Sequence, residues 1–76
     1  MYLYQRIRDL REDADLNQTQ VAKMLKTNQA TYSQYERGMR AFPIHHLIQL
    51  AQFYKVSLDY LVGLTDDPTP PKRKRN

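Results

Sequence analysis

The chain has no cysteine, so it forms no disulfide and no cysteine-based zinc site. That absence fits a reducing cytoplasm, which is the expected location. There are only two glycines, Gly38 and Gly63, and therefore no glycine-rich loop of the kind that cradles phosphates. No apolar run approaches the ~18 residues of a membrane span, and the first residues, MYLYQRIRDLRED, lack the long apolar core of a signal peptide. No membrane partner is expected. No segment alternates apolar and polar residues with period two, so no strand is expected, and there is no internal repeat. His45 and His46 are neighbours that point in different directions on a helix, and no cysteine or third histidine is available to complete a metal site. Asp9 and Asp13, at i and i+4, read as a solvated helix face. An enzyme is the least supported class, with no cysteine nucleophile, phosphate loop or metal constellation. No catalytic residue, metal or cofactor is expected.

What is present is 76 residues, one domain near the small end of what folds alone. Helix packing must carry its stability. The formal charge of +4 comes entirely from Lys72, Arg73, Lys74 and Arg75. Residues 1–71 hold eight basic and eight acidic residues and balance to zero. The high pI thus belongs to the C-terminal segment. From about Thr65 the sequence DDPTPPKRKRN has three prolines, no large apolar residue and a block of four positive charges. It reads as a disordered or extended tail. The expected division is residues 1–64 as the folded domain and 65–76 as a Pro-rich basic tail.

Five helices are expected. The first runs from about Tyr2 to Asp13, with Leu3, Ile7, Leu10 and Ala14 at helical spacing. Asp13-Ala14-Asp15 ends it, and Leu16 turns inward. Asn17 caps the second helix with Gln20 as its capping-box partner; Val21, Ala22 and Leu25 form its apolar face. Lys26 and Thr27 make a turn. Asn28 caps the third helix, whose inward residues are Tyr32 and Tyr35, and Gly38 ends it with a left-handed C-cap. Residues 39–42 form a loop. Pro43 suits the first turn of the fourth helix, where Ile44, Leu47, Ile48, Ala51 and Tyr54 form an apolar stripe widened by Leu50 and Phe53. Ser57 caps a short fifth helix with Leu58, Tyr60, Leu61 and Val62, closed by Gly63. Tyr32, Tyr35, Tyr54 and Tyr60 are expected in the core with their hydroxyls at the surface. Tyr2 and Tyr4 have no assigned place.

The second and third helices carry the functional signal. Both open on polar caps around a tight turn. The third has a dense row of hydrogen-bonding side chains on the face away from its apolar residues. Such a row suits a helix entering the DNA major groove, where base edges are read by donors, acceptors and methyl contacts. Gln18, Ala22 and Leu25, in the pattern Q-x-x-x-A-x-x-L, followed by Tyr32-Ser33-Gln34-Tyr35-Glu36-Arg37-Gly38, resemble the Cro/C1-type (XRE) helix-turn-helix family. Leu47-x-x-Leu50-Ala51 and Val56-Ser57-Leu58-Asp59-Tyr60-Leu61 continue the resemblance, which covers about Leu3 to Leu64. It implies an all-α, compact five-helix lambda-repressor-like fold. It also implies a recognition role for the third helix, about Gln29 to Arg37, and a homodimer on an inverted-repeat site in double-stranded DNA. Two positions depart from the pattern. Lys26 stands where the turn commonly has glycine, and Thr27 where an aliphatic residue is usual. Either Lys26 takes a positive φ, at about 1 kcal/mol, or the turn is built differently.

In this geometry base edges meet the N-terminal part of the recognition helix, here Asn28, Gln29, Ala30 and Ser33, with Gln34 one turn on. Gln29 and Gln34 match adenine through N6 and N7, and Ala30 matches a thymine methyl. Asn17 and Gln18 open the second helix, where backbone N–H groups favour an anion, and the family places a phosphate at this glutamine. Lys23, Lys26, Arg37 and Arg40 are the expected phosphate donors, each with the alternative of an ordinary solvated charge. Arg11 and Glu36 resemble an internal ion pair of the family and are assigned to structure. Lys72 to Arg75 either follow the DNA backbone, with a salt slope of about −0.9 per phosphate neutralised, or form a solubilising tail. The leading expectation is a transcriptional repressor that dimerises through the fifth helix and the residues after it, with Leu61, Val62 and Leu64 as contacts. The alternatives are an antitoxin that binds a toxin or other protein partner and represses its own operon, and a protein-interaction module on the same fold.

Overall fold

Three polar side chains set where helices begin. Asn17 Oδ1 accepts from the Gln20 N–H at 2.8 Å, Asn28 Oδ1 from Thr31 at 2.8 Å and Ser57 Oγ from Tyr60 at 3.0 Å. Each satisfies a backbone donor that the helix itself leaves unpaired. At Asn17 the capping box is complete, because Gln20 Oε1 accepts from the Asn17 N–H at 2.8 Å. The computed structural model describes residues 4–70. Among them are five helices: α1 (Gln5–Asp13), α2 (Gln18–Met24), α3 (Gln29–Glu36), α4 (Ile44–Tyr54) and α5 (Leu58–Leu61). No strand occurs among the described residues. Pro43 stands one position before α4, as its N-cap. The expected start of the first helix at Tyr2 and Leu3, and the Lys72–Arg75 block, lie outside the described residues. Among those described, no helix is long and apolar enough to cross a membrane.

All five helices end the same way. A residue with positive φ follows the C-cap region, and the next N–H reaches back to a carbonyl of the last turn. The bonds are Leu16 to Arg11, Thr27 to Ala22, Met39 to Gln34, Val56 to Ala51 and Leu64 to Asp59. This is the Schellman arrangement. The left-handed residues are Asp15 (φ 58°), Lys26 (φ 61°), Gly38 (φ 75°), Lys55 (φ 59°) and Gly63 (φ 86°). Lys26 therefore takes the conformation that glycine commonly supplies in the turn.

The core is formed by Ile7, Val21, Ala22, Leu25, Tyr32, Leu50 and Leu61, with Tyr35, Phe42, Leu47 and Ala51 around them. Four features of it differ from expectation. Ile44 and Ile48 belong to the anticipated stripe of α4 but are 62% and 41% exposed, whereas His46, Leu47, Leu50 and Ala51 face inward. Apolar residues occupy more than one face of this helix, so spacing alone left its rotation open. Leu61 is fully buried and has no surface with which to contact a second copy. Phe42, expected as a loop residue, is buried. Its ring packs against Tyr4 (5.1 Å), Tyr32 (6.0 Å) and Tyr35 (4.9 Å), which also gives Tyr4 its place. The Tyr32 hydroxyl is turned inward to Glu36 at 2.6 Å, and the Tyr54 hydroxyl is buried. The Tyr32 hydroxyl follows the buried carboxylate instead of water, whereas the Tyr54 hydroxyl has no hydrogen-bond partner among the described residues.

Residues 65–70 have no helix or strand but stay in contact with the domain. Ser57 N–H donates to the Pro68 carbonyl at 3.1 Å. The Arg6 guanidinium lies 4.2 Å from the Tyr60 ring centre and donates to the carbonyls of Tyr60 and Thr65 and to Asp66.

Candidate nucleic-acid interface

The turn between α2 and α3 brings the first residue of each helix together. Gln18 and Gln29 are 11 positions apart, and Gln29 Nε2 donates to Gln18 Oε1 at 2.6 Å. Gln18 Nε2 in turn donates to Glu36 Oε1 at 3.2 Å. Glu36 also receives Arg11 Nε at 2.7 Å, Arg11 Nη2 at 3.2 Å and the Tyr32 hydroxyl at 2.6 Å. A hydrogen-bonded line thus runs from the interior, at a carboxylate side chain only 2% exposed, through half-buried Gln18 to exposed Gln29.

The electrostatics of this line are set by the ion pair. Burial alone would raise the Glu36 pKa. Hydrogen bonds from Arg11, Tyr32 and Gln18 and the Arg11 charge outweigh it and hold the group below 4.5. The Glu36 bond raises the Arg11 pKa, and burial together with Glu36 pushes the Tyr32 phenol well above its ordinary value. Glu36 is therefore an ionised, acceptor-only group at neutral pH. Arg11 Nη1 is used as well, on the Leu16 carbonyl at 2.9 Å. The Tyr54 phenol is pushed up to about 12 by burial, with Arg11 opposing and Glu36 adding to the rise.

Asn28, Gln29 and Ala30 are exposed at the start of α3, and Ser33 and Gln34 are half-buried further along it. The Asn28 oxygen is engaged in capping α3, leaving its amide nitrogen as the outward group. Asn17 is exposed, with its oxygen likewise engaged on Gln20. Lys23, Lys26, Arg37 and Arg40 are all exposed, and none forms an ion pair among the described residues. Arg40 leaves the loop held by buried Phe42.

Sequence reasoning placed Gln18, Gln29, Arg11 and Glu36 singly or in pairs. It missed that they form one connected line, and it missed Phe42. The cue for the line was slight: polar residues at the first position of two capped helices, which only the turn geometry brings within reach. Phe42 stood out merely as an aromatic residue in the loop of residues 39–42.

A family model described as helix-turn-helix matches residues 7–61. The chain is 39% identical over 72 residues, 95% of its length, to the uncharacterized HTH-type transcriptional regulator YobD of Bacillus subtilis. It is 36% identical over 69 residues, 91% of its length, to the cryptic phage CTXphi transcriptional repressor RstR of Vibrio cholerae. To the HTH-type transcriptional regulator ImmR of Bacillus subtilis it is 35% identical over 63 residues, 83% of its length. The matched stretches span 64%, 62% and 50% of these relatives, less than two thirds of each. No solved structure matches the chain at the stringency that admits these relatives.

Proposed function

The chain belongs to the helix-turn-helix family, of the Cro/C1 type, and on that premise we propose that it is a sequence-specific regulator of transcription, a repressor, binding double-stranded DNA as a homodimer. In this reading α3 enters the major groove. Gln29 is its principal base contact. Ala30, Ser33, Gln34 and the outward nitrogen of Asn28 complete the reading face. Gln18, Asn17, Lys23, Lys26, Arg37 and Arg40 engage phosphates and set position without reading sequence.

The observation that carries the proposal is the exposed Gln29 amide, held at 2.6 Å by Gln18 at the mouth of the helix-turn-helix. An amide offering one acceptor and one donor edge-on matches adenine N6 and N7. An ordinary solvated glutamine has no need of a tether that leads back to a buried carboxylate, and holding the side chain in place before DNA arrives reduces the entropy lost on binding. The names of the relatives, two regulators and one repressor, point the same way. The dimer would use Leu64, which is 74% exposed, and half-buried Val62. Two-fold symmetry then places half-sites about one helical turn apart. The helix-turn-helix unit would end near Leu64.

The test is selection of bound sites from random duplex DNA by the purified protein, with Gln29→Ala in parallel. An inverted repeat enriched by the wild type, and broadened at one base pair per half-site by the variant, is the expected result. No enrichment at low or near-physiological salt would overturn the proposal.

A further inference from the structure

Glu36 is buried and does not touch the surface where DNA would lie, yet its hydrogen bonds constrain what that surface presents. An ionised carboxylate only accepts. The Gln18 amide must therefore turn its nitrogen toward Glu36, as it does at 3.2 Å. Its oxygen is then turned to Gln29 and accepts from Gln29 Nε2 at 2.6 Å, while the second Nε2 proton of Gln18 is left for a phosphate. That bond uses one of the two Nε2 protons of Gln29. The other proton and the Gln29 oxygen remain as an adjacent donor and acceptor.

We propose that Glu36 is a positioning residue for base recognition: through Gln18 it fixes the direction of the hydrogen-bonded line and presents Gln29 to DNA as a donor–acceptor pair that fits adenine. This rests on the reading of Gln29 as a base contact.

The chemistry of the alternatives shows what the direction does. Adenine offers N7 as acceptor and N6–H as donor, which the remaining groups of Gln29 match together. Guanine offers two acceptors, O6 and N7. It would need both protons of the Gln29 nitrogen, one of which is held by Gln18. With the Gln18 amide reversed, its nitrogen would face outward, Gln29 would have to turn its oxygen to it, and both Gln29 protons would be released toward DNA. The buried carboxylate forbids that reversed state. The other groups on Glu36, Arg11 and Tyr32, also donate, so none of them competes with Gln18 by demanding a proton. Arg11 keeps the carboxylate charged, and the charge imposes the direction.

The experiment uses the operator obtained by selection and its variants with each of the four base pairs at the position that Gln29→Ala broadens. Affinities are measured for wild type, Gln29→Ala, Gln18→Met and Glu36→Gln. Gln18→Met cuts the line and leaves the Arg11–Glu36 pair intact. Overall affinity falls with the lost Gln18 contact, so the readout is the ratio of adenine to the other bases. That ratio is expected to drop about tenfold, within what a bidentate adenine contact supplies. Glu36→Gln, checked as folded by circular dichroism, is expected to narrow the same ratio, because its side-chain amide accepts either orientation of Gln18. If Glu36→Gln does not fold, the neutral combination of Arg11→Met with Glu36→Leu takes its place, with the same narrowing of the ratio expected. In the free wild-type protein the two Gln29 Nε2 proton resonances are expected to be well separated, one bonded to Gln18. In Gln18→Met they should move to the values of exposed glutamines; in Glu36→Gln, which keeps Gln18, they should move part of the way, a change that a purely stabilising role for Glu36 would not produce. If Gln29→Ala abolishes the adenine preference and Gln18→Met keeps it within about twofold, the proposed relay is overturned while Gln29 stays a base contact. If Gln29→Ala leaves every preference unchanged, the base-contact reading fails and the relay falls with it.

Discussion

Replacing Arg11 with methionine isolates the energetics of the buried pair. The substitution keeps the apolar stem and removes the guanidinium, whose Nε and Nη2 donate to Glu36 at 2.7 and 3.2 Å and whose Nη1 donates to the Leu16 carbonyl at 2.9 Å. The Glu36 side chain is 2% exposed, so water cannot replace what is lost. Breaking a buried pair by removing one partner costs about 3–5 kcal/mol. At roughly 0.05–0.15 kcal/mol per residue, a chain of this length has a total stability of about 4–11 kcal/mol. Arg11→Met is therefore expected to be marginally folded at 25 °C, with its midpoint lowered by at least ~12 °C. The pH dependence supplies a sharper criterion. In the wild type the Glu36 pKa is held below its unfolded value of 4.5. Its contribution is thus fully present above 4.5 and is lost as pH falls through the lowered value. Without Arg11, burial is opposed only by the hydrogen bonds from Tyr32 and Gln18, and the folded pKa is expected to rise above the unfolded value. The variant then gains stability as pH falls from that raised value toward 4.5, while the wild type gains none in that interval. Urea denaturation followed by circular dichroism at pH 7 and pH 4.5 should show the gap between the two proteins shrinking at the lower pH. A loss under about 1 kcal/mol at pH 7, the range of exposed pairs, or a gap independent of pH, would refute the reasoning.

Lys55 is exposed and holds φ 59°, a conformation that costs a residue bearing a Cβ about 1–2 kcal/mol. Lys55→Gly relieves this, and the greater freedom of glycine in the unfolded chain offsets about 0.5–1 kcal/mol of the gain. A net stabilisation of roughly 0.5–1 kcal/mol in thermal melts is expected, and a loss would show that the lysine stem packs more than the backbone strains. Phe42→Ala empties the space between Tyr4, Tyr32 and Tyr35. It should cost about 3–5 kcal/mol in urea denaturation, against under about 0.5 kcal/mol if residue 42 were an exposed loop position.

Local chemistry made the helices legible. Asn17, Asn28 and Ser57 declared three starts, and Gly38 and Gly63 two ends, because caps act within one turn of the backbone they satisfy. The end at Asp15 was marked by Asp13-Ala14-Asp15 without a glycine, and the end at Lys55 was not marked at all. The rotation of α4 was illegible for a different reason. Ile44 and Ile48 are as apolar as Leu47 and Leu50, and only packing against the other helices decides which pair is buried. At the candidate interface the exposure of Gln29 was legible, since it lies on the polar face of a capped helix. The contact between Gln18 and Gln29 was not, because it depends on how Lys26 turns the chain between their helices.

The presence of a charged pair in so small a core calls for a reason other than stability. Replacing a buried ion pair with apolar residues of similar volume is often neutral or stabilising. Arg11→Met combined with Glu36→Leu removes both charges, so the cost predicted for Arg11→Met alone should shrink to about 1–3 kcal/mol, that of leaving the buried Tyr32 hydroxyl without its acceptor. What the double variant cannot restore is the acceptor beneath Gln18. Its nitrogen would lose the 3.2 Å bond to Glu36, its amide would be free to reverse, and Gln29 would present either of two hydrogen-bond patterns to DNA. The expected variant is thus within about 3 kcal/mol of the wild type in urea denaturation, binds DNA with the same salt dependence through its unchanged phosphate donors, and has lost most of its adenine preference. A double variant that recovers stability and keeps its base preference would show the pair to be dispensable for recognition. Recovery of stability alone would separate the two roles of Glu36 and locate its value in the direction of the hydrogen bonds it imposes.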